Sequence, residues 1–312
     1  MPFDNRITRL LGVDIPIVQA PMGYIARAQL ASAVCDAGAL GIIETSSGAL
    51  EEIRDEIVEM RRRTDRPFGV NIAQAFVRDP GIIDFVIEQG VRFVTTSAGD
   101  PRKYTQQLKD AGLTVFHVVP NLDGALRAVD AGVDGLVVEG GEGGGFKNPR
   151  DVSTMVLLPL VRSKVDVPII AAGGICDGPS MAAAFALGAE AVQLGTRMVS
   201  ALESPIHDDW KHGITGARET DTVMLRGERG PALRALRTRT AEAVERGELD
   251  PMMALRDGQK QVYFEGKLDE GIALTGQVAG RIDEIEPVAV IVDRMVREFH
   301  EVVGDLAKTY LD

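Results

Sequence analysis

The chain has 312 residues, of which 45% are apolar, enough for one large barrel or two modest domains. The formal charge is −12 and no basic stripe is visible, so we expect no nucleic-acid partner. No apolar run approaches the roughly 20 residues of a membrane span, and the N-terminal MPFDNRITRLLG lacks the apolar core of a secretory signal. Two cysteines without metal-type spacing, Cys35 and Cys176, predict a reducing cytoplasmic location and no metal site.

Eight short β-rich runs recur along the chain, with helical patterns between them. Several runs lack polar alternation, as expected for parallel strands that are buried on both faces. The runs are Ile15–Gln19, Leu40–Glu44, Phe68–Ile72, Val91–Thr95, Thr114–Val118, Gly135–Glu139, Pro168–Ala172 and Ala191–Leu194. This order predicts an α/β fold, a TIM (β/α)8 barrel. A doubly wound open sheet is the alternative, which the absence of GxGxxG after the first run disfavours.

The pattern changes after the eighth run. Residues 201–280 show helical runs and no convincing strand series, whereas Val288 to about Lys308 forms an amphipathic helix with a 3.6-residue period. We therefore predict a barrel made of residues 1–200 and 281–312. Residues 201–280 are predicted to form an inserted helical cap over the barrel mouth, because short helices need a surface on which to bury their apolar faces.

Glycines follow the last two predicted strands. Gly173 and Gly174 end the seventh, Gly195 and Thr196 follow the eighth, and a helix rich in alanine lies between them. The loops after strands seven and eight of such barrels frequently bind a phosphate, which glycine allows backbone N–H groups to approach. The segment thus indicates a phosphate-bearing cofactor; a plain strand–helix–strand unit with tight turns is the alternative.

The other predicted strand ends offer few ionisable groups. Neither a serine–histidine–acid set nor a histidine-rich metal cluster is present, and such a site suits a cofactor that performs the difficult chemistry. Asn71 lies in an apolar strand, where it either binds a flat polar ring or is satisfied within the core. His117 is more typical of a core histidine than of a catalytic one. The five glycines around Glu142 favour close approach to a planar ligand over a mobile loop.

Together these motifs resemble the nitronate monooxygenase family, formerly called 2-nitropropane dioxygenases. The wider group includes FMN-dependent enoyl-acyl-carrier-protein reductases and NADH:quinone reductases. The resemblance covers nearly the whole chain through PIVQAPMG at 16–23, DRPFGVN at 65–71, the glycine loop, VLLP at 156–159, the two glycine turns and GQVAG at 276–280. It implies a TIM barrel with FMN across its mouth. The implied FMN contacts are Ala20, Pro21, Met22, Asn71, Glu139, Gly144, Gly145, Gly173, Gly174, Gly195 and Thr196.

One position departs from the family pattern. The family loop usually ends in Glu-Ala-Gly-Gly-His, and the resemblance implies that this histidine acts as a base or orients the substrate. Here the loop runs from Glu142 through three glycines to Phe146, which cannot take a proton. Deprotonation of a neutral nitroalkane is therefore not expected by the usual route. Lys147 and His117 are weak candidates to replace the histidine.

The resemblance implies an FMN-dependent oxidoreductase that acts on a small molecule. With Phe146 in place of histidine, we expect hydride to pass from NADH or NADPH to a quinone or an unsaturated acyl thioester. Three alternatives stay open: a nitronate monooxygenase that uses O2, a phosphate-binding barrel isomerase or lyase, and a non-catalytic flavin-binding protein. A homodimer also stays open, and we expect no membrane partner.

Overall fold

The computed structural model describes residues 3–228 and 230–311. Its strands are β1 Ile17–Gln19, β2 Ile42–Glu44, β3 Gly69–Ala73, β4 Phe93–Ser97, β5 Thr114–Val119, β6 Gly135–Glu139, β7 Gly145–Lys147, β8 Ile169–Ala172, β9 Ala191–Leu194, β10 Thr222–Leu225 and β11 Ala232–Leu236. Eight of them form one parallel sheet in the order β1-β9-β8-β6-β5-β4-β3-β2. A parallel bridge between Val18 and Leu40 joins the two ends, so the sheet is a nearly closed barrel. The predicted TIM barrel and all eight predicted barrel strands are confirmed.

Helices surround this barrel. They are α1 Arg6–Leu11, α2 Ala28–Asp36, α3 Leu50–Arg63, α4 Ile82–Glu88, α5 Thr105–Asp110, α6 Leu122–Asp130, α7 Thr154–Arg162, α8 Gly178–Ala186, α9 Thr196–Val199, α10 Asp208–Thr215, α11 Arg239–Glu245, α12 Pro251–Glu265 and α13 Val288–Tyr310. Short 3₁₀ turns occupy 74–76, 101–103, 268–270 and 277–281. The amphipathic helix predicted from Val288 is confirmed as α13, which packs between α8 and α2 and completes the outer ring. None of the helices within the described residues has the length and apolar character needed to cross a membrane.

Alternation along the strands divides the apolar side chains between two cores. On β5, Phe116 and Val118 point into the barrel, whereas Val115 and Val119 pack against the helices. Ile7 and Leu11 of α1 join the interior cluster. The barrel is thus a packed core rather than a pore, and a cavity opens where its strands end in polar residues.

The segment after β9 differs from its purely helical prediction. It contains β10 and β11, which pair antiparallel, and β7 adds to β11 as the third strand. In that register Phe146 lies opposite Leu233. The strands were missed because β11 reads ALRAL, with Arg234 at its centre, and because half of the small sheet's pairing comes from a distant loop. The division of the chain into barrel and cap stays a prediction.

Candidate functional site

A cavity of about 1150 Å³ lies between the carboxyl ends of the barrel strands and the segment 201–280. All eleven residues implied as FMN contacts line it, as do Phe146, Lys147 and His117. Trp210, Met252, Tyr263 and Leu274 line it from the segment after β9. The volume exceeds the roughly 300–1000 Å³ of a typical small-molecule pocket, so there is room for more than one ligand.

Strand register places polar side chains side by side at the floor of this cavity. Glu44, Asn71 and Thr95 are neighbours across β2, β3 and β4. On the far side, Glu139 of β6 and Gln193 of β9 lie on either side of the small Ala172 of β8. These residues alternate with apolar residues that pack against the helices, and they therefore point toward the barrel axis.

The side-chain amides of Asn71 and Gln193 differ in whether their polar atoms have hydrogen-bond partners. Asn71 is 3% exposed, and its amide nitrogen donates to the Thr95 hydroxyl at 2.9 Å and to the Thr95 carbonyl at 3.2 Å. Gln193 is 7% exposed, and its Oε1 is buried without a hydrogen-bond partner among the described residues. An unpaired buried carbonyl costs free energy. Gln193, which was missed from the sequence, is therefore the residue that most directly indicates a polar ligand.

Glu44 organises the loops that follow β1 and β2. Its carboxylate is 1% exposed and accepts hydrogen bonds from the backbone N–H groups of Tyr24 at 3.1 Å, Ser46 at 2.7 Å and Ser47 at 3.1 Å. Both serine hydroxyls also donate to it, and Arg27 forms an ion pair with it at 3.0 Å. Pairing of this quality stabilises a buried charge. The carboxylate thus fixes the backbone beside Ala20, Pro21 and Met22.

The two glycine turns lie together at the cavity edge. Gly173 and Gly174 have φ of +88° and +80°, a left-handed conformation that favours glycine. Gly195 needs no such conformation, and a Cβ there would meet only the Ala20 Cβ at 3.8 Å, so the adjoining space belongs to the cavity. Within the described residues, the backbone N–H groups of Gly174 and Thr196 donate to no backbone carbonyl. Free donors beside open space fit a bound anion.

The glycine loop after β6 is held by specific contacts. The Glu142 carboxylate accepts from the Thr154 N–H at the start of α7, and its backbone carbonyl accepts from the Gln277 N–H at 2.9 Å. Arg234 Nε donates to the Gly141 carbonyl at 2.6 Å. A Cβ on Gly144 would lie 2.7 Å from the Gly276 nitrogen. The need for glycine there therefore comes from the close approach of two backbones within the protein.

The strand β7 turns two very different side chains to opposite faces. Lys147 is 7% exposed and its ammonium donates to Glu139 in a short ion pair within the cavity. Phe146 packs against Phe76 with ring centroids 4.9 Å apart. The cavity therefore combines a buried ion pair with an aromatic wall.

His117 occupies a position that suits packing better than proton transfer. It shares the helix-facing side of β5 with Val115 and Val119, although it borders the cavity. Its Nδ1 lies 2.7 Å from the Thr96 hydroxyl. Burial lowers the pKa of His117 to about 4, and a hydrogen bond with the Gly99 backbone opposes the shift only partly. The imidazole is therefore neutral near pH 7 and supplies no acidic proton.

Cys176 does not line the cavity, whereas Trp210 does. Cys176 is buried, and burial raises the pKa of its thiol to about 12, which makes it unreactive. Trp210 is fully buried, lines the cavity and donates from Nε1 to the Thr275 hydroxyl at 3.1 Å. No group of three or more histidine, cysteine or carboxylate side chains that could hold a metal occurs within residues 3–228 and 230–311.

The chain belongs to the nitronate monooxygenase family, whose model matches residues 4–80 and 73–298. It is 31% identical to a Mycobacterium tuberculosis protein named (3aS,4S,5R,7aS)-5-hydroxy-7a-methyl-1-oxo-octahydro-1H-indene-4-carboxyl-CoA dehydrogenase, covering 95% of this chain and 96% of that one. It is 33% identical to the nitronate monooxygenase of Paraburkholderia phytofirmans over 70% of this chain and 73% of that one.

A solved structure extends the comparison over the whole fold. FabK from Thermotoga maritima superposes with a TM-score of 0.92 at 40% identity, covering 98% of this chain and 99% of that one. The family and these relatives define a flavin oxidoreductase, which confirms the resemblance inferred from the motifs.

Proposed function

We propose that this protein binds FMN in the cavity and passes hydride from NADH or NADPH to an unsaturated acyl thioester or a quinone. The unpaired Oε1 of Gln193, buried beside the two glycine turns, is the observation that most strongly supports it. Because a buried acceptor needs a donor, a ring N–H of a bound flavin would satisfy it. The free N–H groups of Gly174 and Thr196 would receive the phosphate.

FMN, when bound, supplies a ring that accepts and returns a hydride. The protein's own residues then hold and shape the reactants. Asn71, fixed by Thr95, presents an amide to the ring, while Glu44 keeps the Ala20–Met22 backbone in place. Lys147 and Glu139 form the ionisable pair inside the cavity that could hold a proton near a substrate. Neutral His117 is not assigned this role.

The walls favour an apolar reacting group. Phe146 and Phe76 are joined by Met252 and Leu255 from α12 along the cavity. Such a wall excludes water and suits a flat, hydrophobic acyl group or quinone ring. The name of the Mycobacterium tuberculosis relative, a carboxyl-CoA dehydrogenase, supports the thioester.

Oxidation of alkyl nitronates with O2 is the second candidate, and membership of the nitronate monooxygenase family favours it. With Phe146 at the position that the family pattern gives to histidine, the chain offers no imidazole there to deprotonate a nitroalkane at carbon. A preformed anionic nitronate needs no such base. We therefore rank nitronate oxidation second and restrict it to nitronates added as anions.

The visible absorption spectrum of the purified protein tests the proposal. Under exclusion of oxygen, we expect a flavin band that bleaches on addition of NADH or NADPH and returns with an enoyl thioester or a quinone. A band that persists with both nucleotides but bleaches with nitronate would support the second candidate. A protein that shows no band even after FMN is supplied would contradict both.

A further inference from the structure

We propose that Arg78 and Arg127 form a second anion site, which binds the ribose-linked phosphomonoester of a nucleotide-bearing substrate or co-substrate. Both arginines line the cavity. The proposal rests on the proposed function, because the bound nucleotide is taken to belong to a molecule that reacts at the flavin site.

Strand order separates this site from the glycine turns. Arg78 follows β3, Arg102 follows β4 and Arg127 lies on α6 after β5, and these three strands are neighbours in the barrel. The glycine turns follow β8 and β9. On one side β6 lies between these strands and β5, and on the other side β1 and β2 lie between them and β3. The arginines therefore lie across the mouth from the proposed FMN phosphate.

The carboxylates that line the cavity are already engaged. Glu44 pairs with Arg27, Glu139 with Lys147, and Glu142 accepts from the Thr154 N–H. Asp100, the fourth, accepts from Arg102 at 3.0 and 2.6 Å.

Arg78 and Arg127 have no such partners. Both are exposed, and neither guanidinium takes part in a salt bridge or side-chain hydrogen bond within residues 3–228 and 230–311. Most other arginines of this acidic chain are ion-paired. Arg102 lowers the pKa of Asp100 to about 2 through hydrogen bonds, and the charge of Arg127 contributes to the shift. Among the cavity-lining residues that follow β3, β4 and β5, the three guanidinium groups of Arg78, Arg102 and Arg127 thus stand against one carboxylate, Asp100.

The chemistry of the ligand follows from these groups. Guanidinium groups bind phosphate through paired, charge-assisted hydrogen bonds. A cavity of about 1150 Å³ has space for a flavin and part of a second molecule. Two sources carry a ribose-linked phosphomonoester: the 3′-phosphate of a coenzyme A thioester and the 2′-phosphate of NADPH.

The test measures binding of two probes, adenosine 3′,5′-bisphosphate and adenosine 2′,5′-bisphosphate, to the purified protein by calorimetry. Arg78→Gln and Arg127→Gln are each expected to weaken the preferred probe about tenfold, and the double variant roughly a hundredfold. Arg92→Gln is the matched control. Arg92 is exposed, is likewise unpaired in the described part of the chain, and lies just ahead of β4 at the opposite end of the barrel.

The two probes identify the source, since preference for the 3′,5′ isomer indicates a coenzyme A thioester and preference for the 2′,5′ isomer indicates NADPH. Equal affinity of the wild type and the double variant, or no binding of either probe at millimolar concentration, would overturn the site. The flavin band of the same samples is recorded separately. A flavin-loaded protein without arginine-dependent binding refutes only this inference, whereas a protein without flavin refutes the proposed function.

Discussion

Replacing Glu44 by Gln should destabilise the fold and the cofactor site together. The substitution keeps the size of the side chain but turns one acceptor oxygen into a donor. That NH2 group would face the N–H and O–H donors of Ser46 and Ser47 or the N–H of Tyr24. It would also leave Arg27, whose side chain is 14% exposed, without its carboxylate.

The size of the effect follows from burial. Removing one partner of a buried ion pair typically costs about 3–5 kcal/mol, because the other charge stays buried without compensation. No other carboxylate pairs with Arg27 within the described residues, and its Nη1 is already buried without a hydrogen-bond partner. With roughly 2 °C per kcal/mol for a chain of this size, the midpoint of thermal unfolding should fall by about 6–10 °C.

Differential scanning calorimetry of the wild type, Glu44→Gln and Glu51→Gln would measure this. Glu51 is the control, because it is 77% exposed and pairs with Arg54 at 3.3 Å, which predicts a change below about 0.5 kcal/mol. The flavin content of Glu44→Gln should also fall, because the loop at Ala20–Met22 loses its support. Equal midpoints for the two variants would refute the argument that this carboxylate holds the loops.

Three further predictions concern the cavity. Phe146→His should keep the flavin and introduce activity on neutral nitroalkanes; loss of the flavin band would contradict the position assigned to this loop. Gly174→Glu combined with Gly195→Glu should expel FMN through crowding and repulsion of the phosphate, and a fully flavinated double variant would disprove the phosphate site. Because burial lowers the pKa of His117 in the folded chain to about 4, below its usual 6.5, the unfolded chain binds the proton more readily. The free energy of unfolding that neutral His117 contributes should be present above pH 6.5 and be lost as the pH falls toward 4. Denaturation of His117→Gln at the same pH values should not show this loss.

The barrel was predictable because its strands are local signals. Runs such as Pro168–Ala172 are apolar, short and bounded by glycine or helix ends, so no distant partner is needed to recognise them. Strand β11 is different, since Arg234 interrupts its apolar pattern and finds its partner at Gly141, far away in the sequence. Only the folded chain shows that a buried arginine is satisfied there.

The cavity lining was predictable where a sequence motif marks it, as at Gly173, Gly174 and Asn71. Glu44 and Gln193 were missed as functional residues because their roles depend on strand register. A polar residue at or next to the end of an apolar strand resembles an ordinary solvated strand end. Its burial becomes evident only when neighbouring strands align and the residues after β9 cover them.

The small sheet formed by β7, β10 and β11 links the loop after β6 to the chain that follows β9. A chimaera that received residues 201–280 from a relative would place a foreign β11 against the resident β7, and the Arg234–Gly141 hydrogen bond would be at risk. The unit suited to exchange is therefore residues 201–280 together with residues 140–150. In such a chimaera, the loop that carries Phe146 and the residues that pair with it in β11 come from the same parent protein.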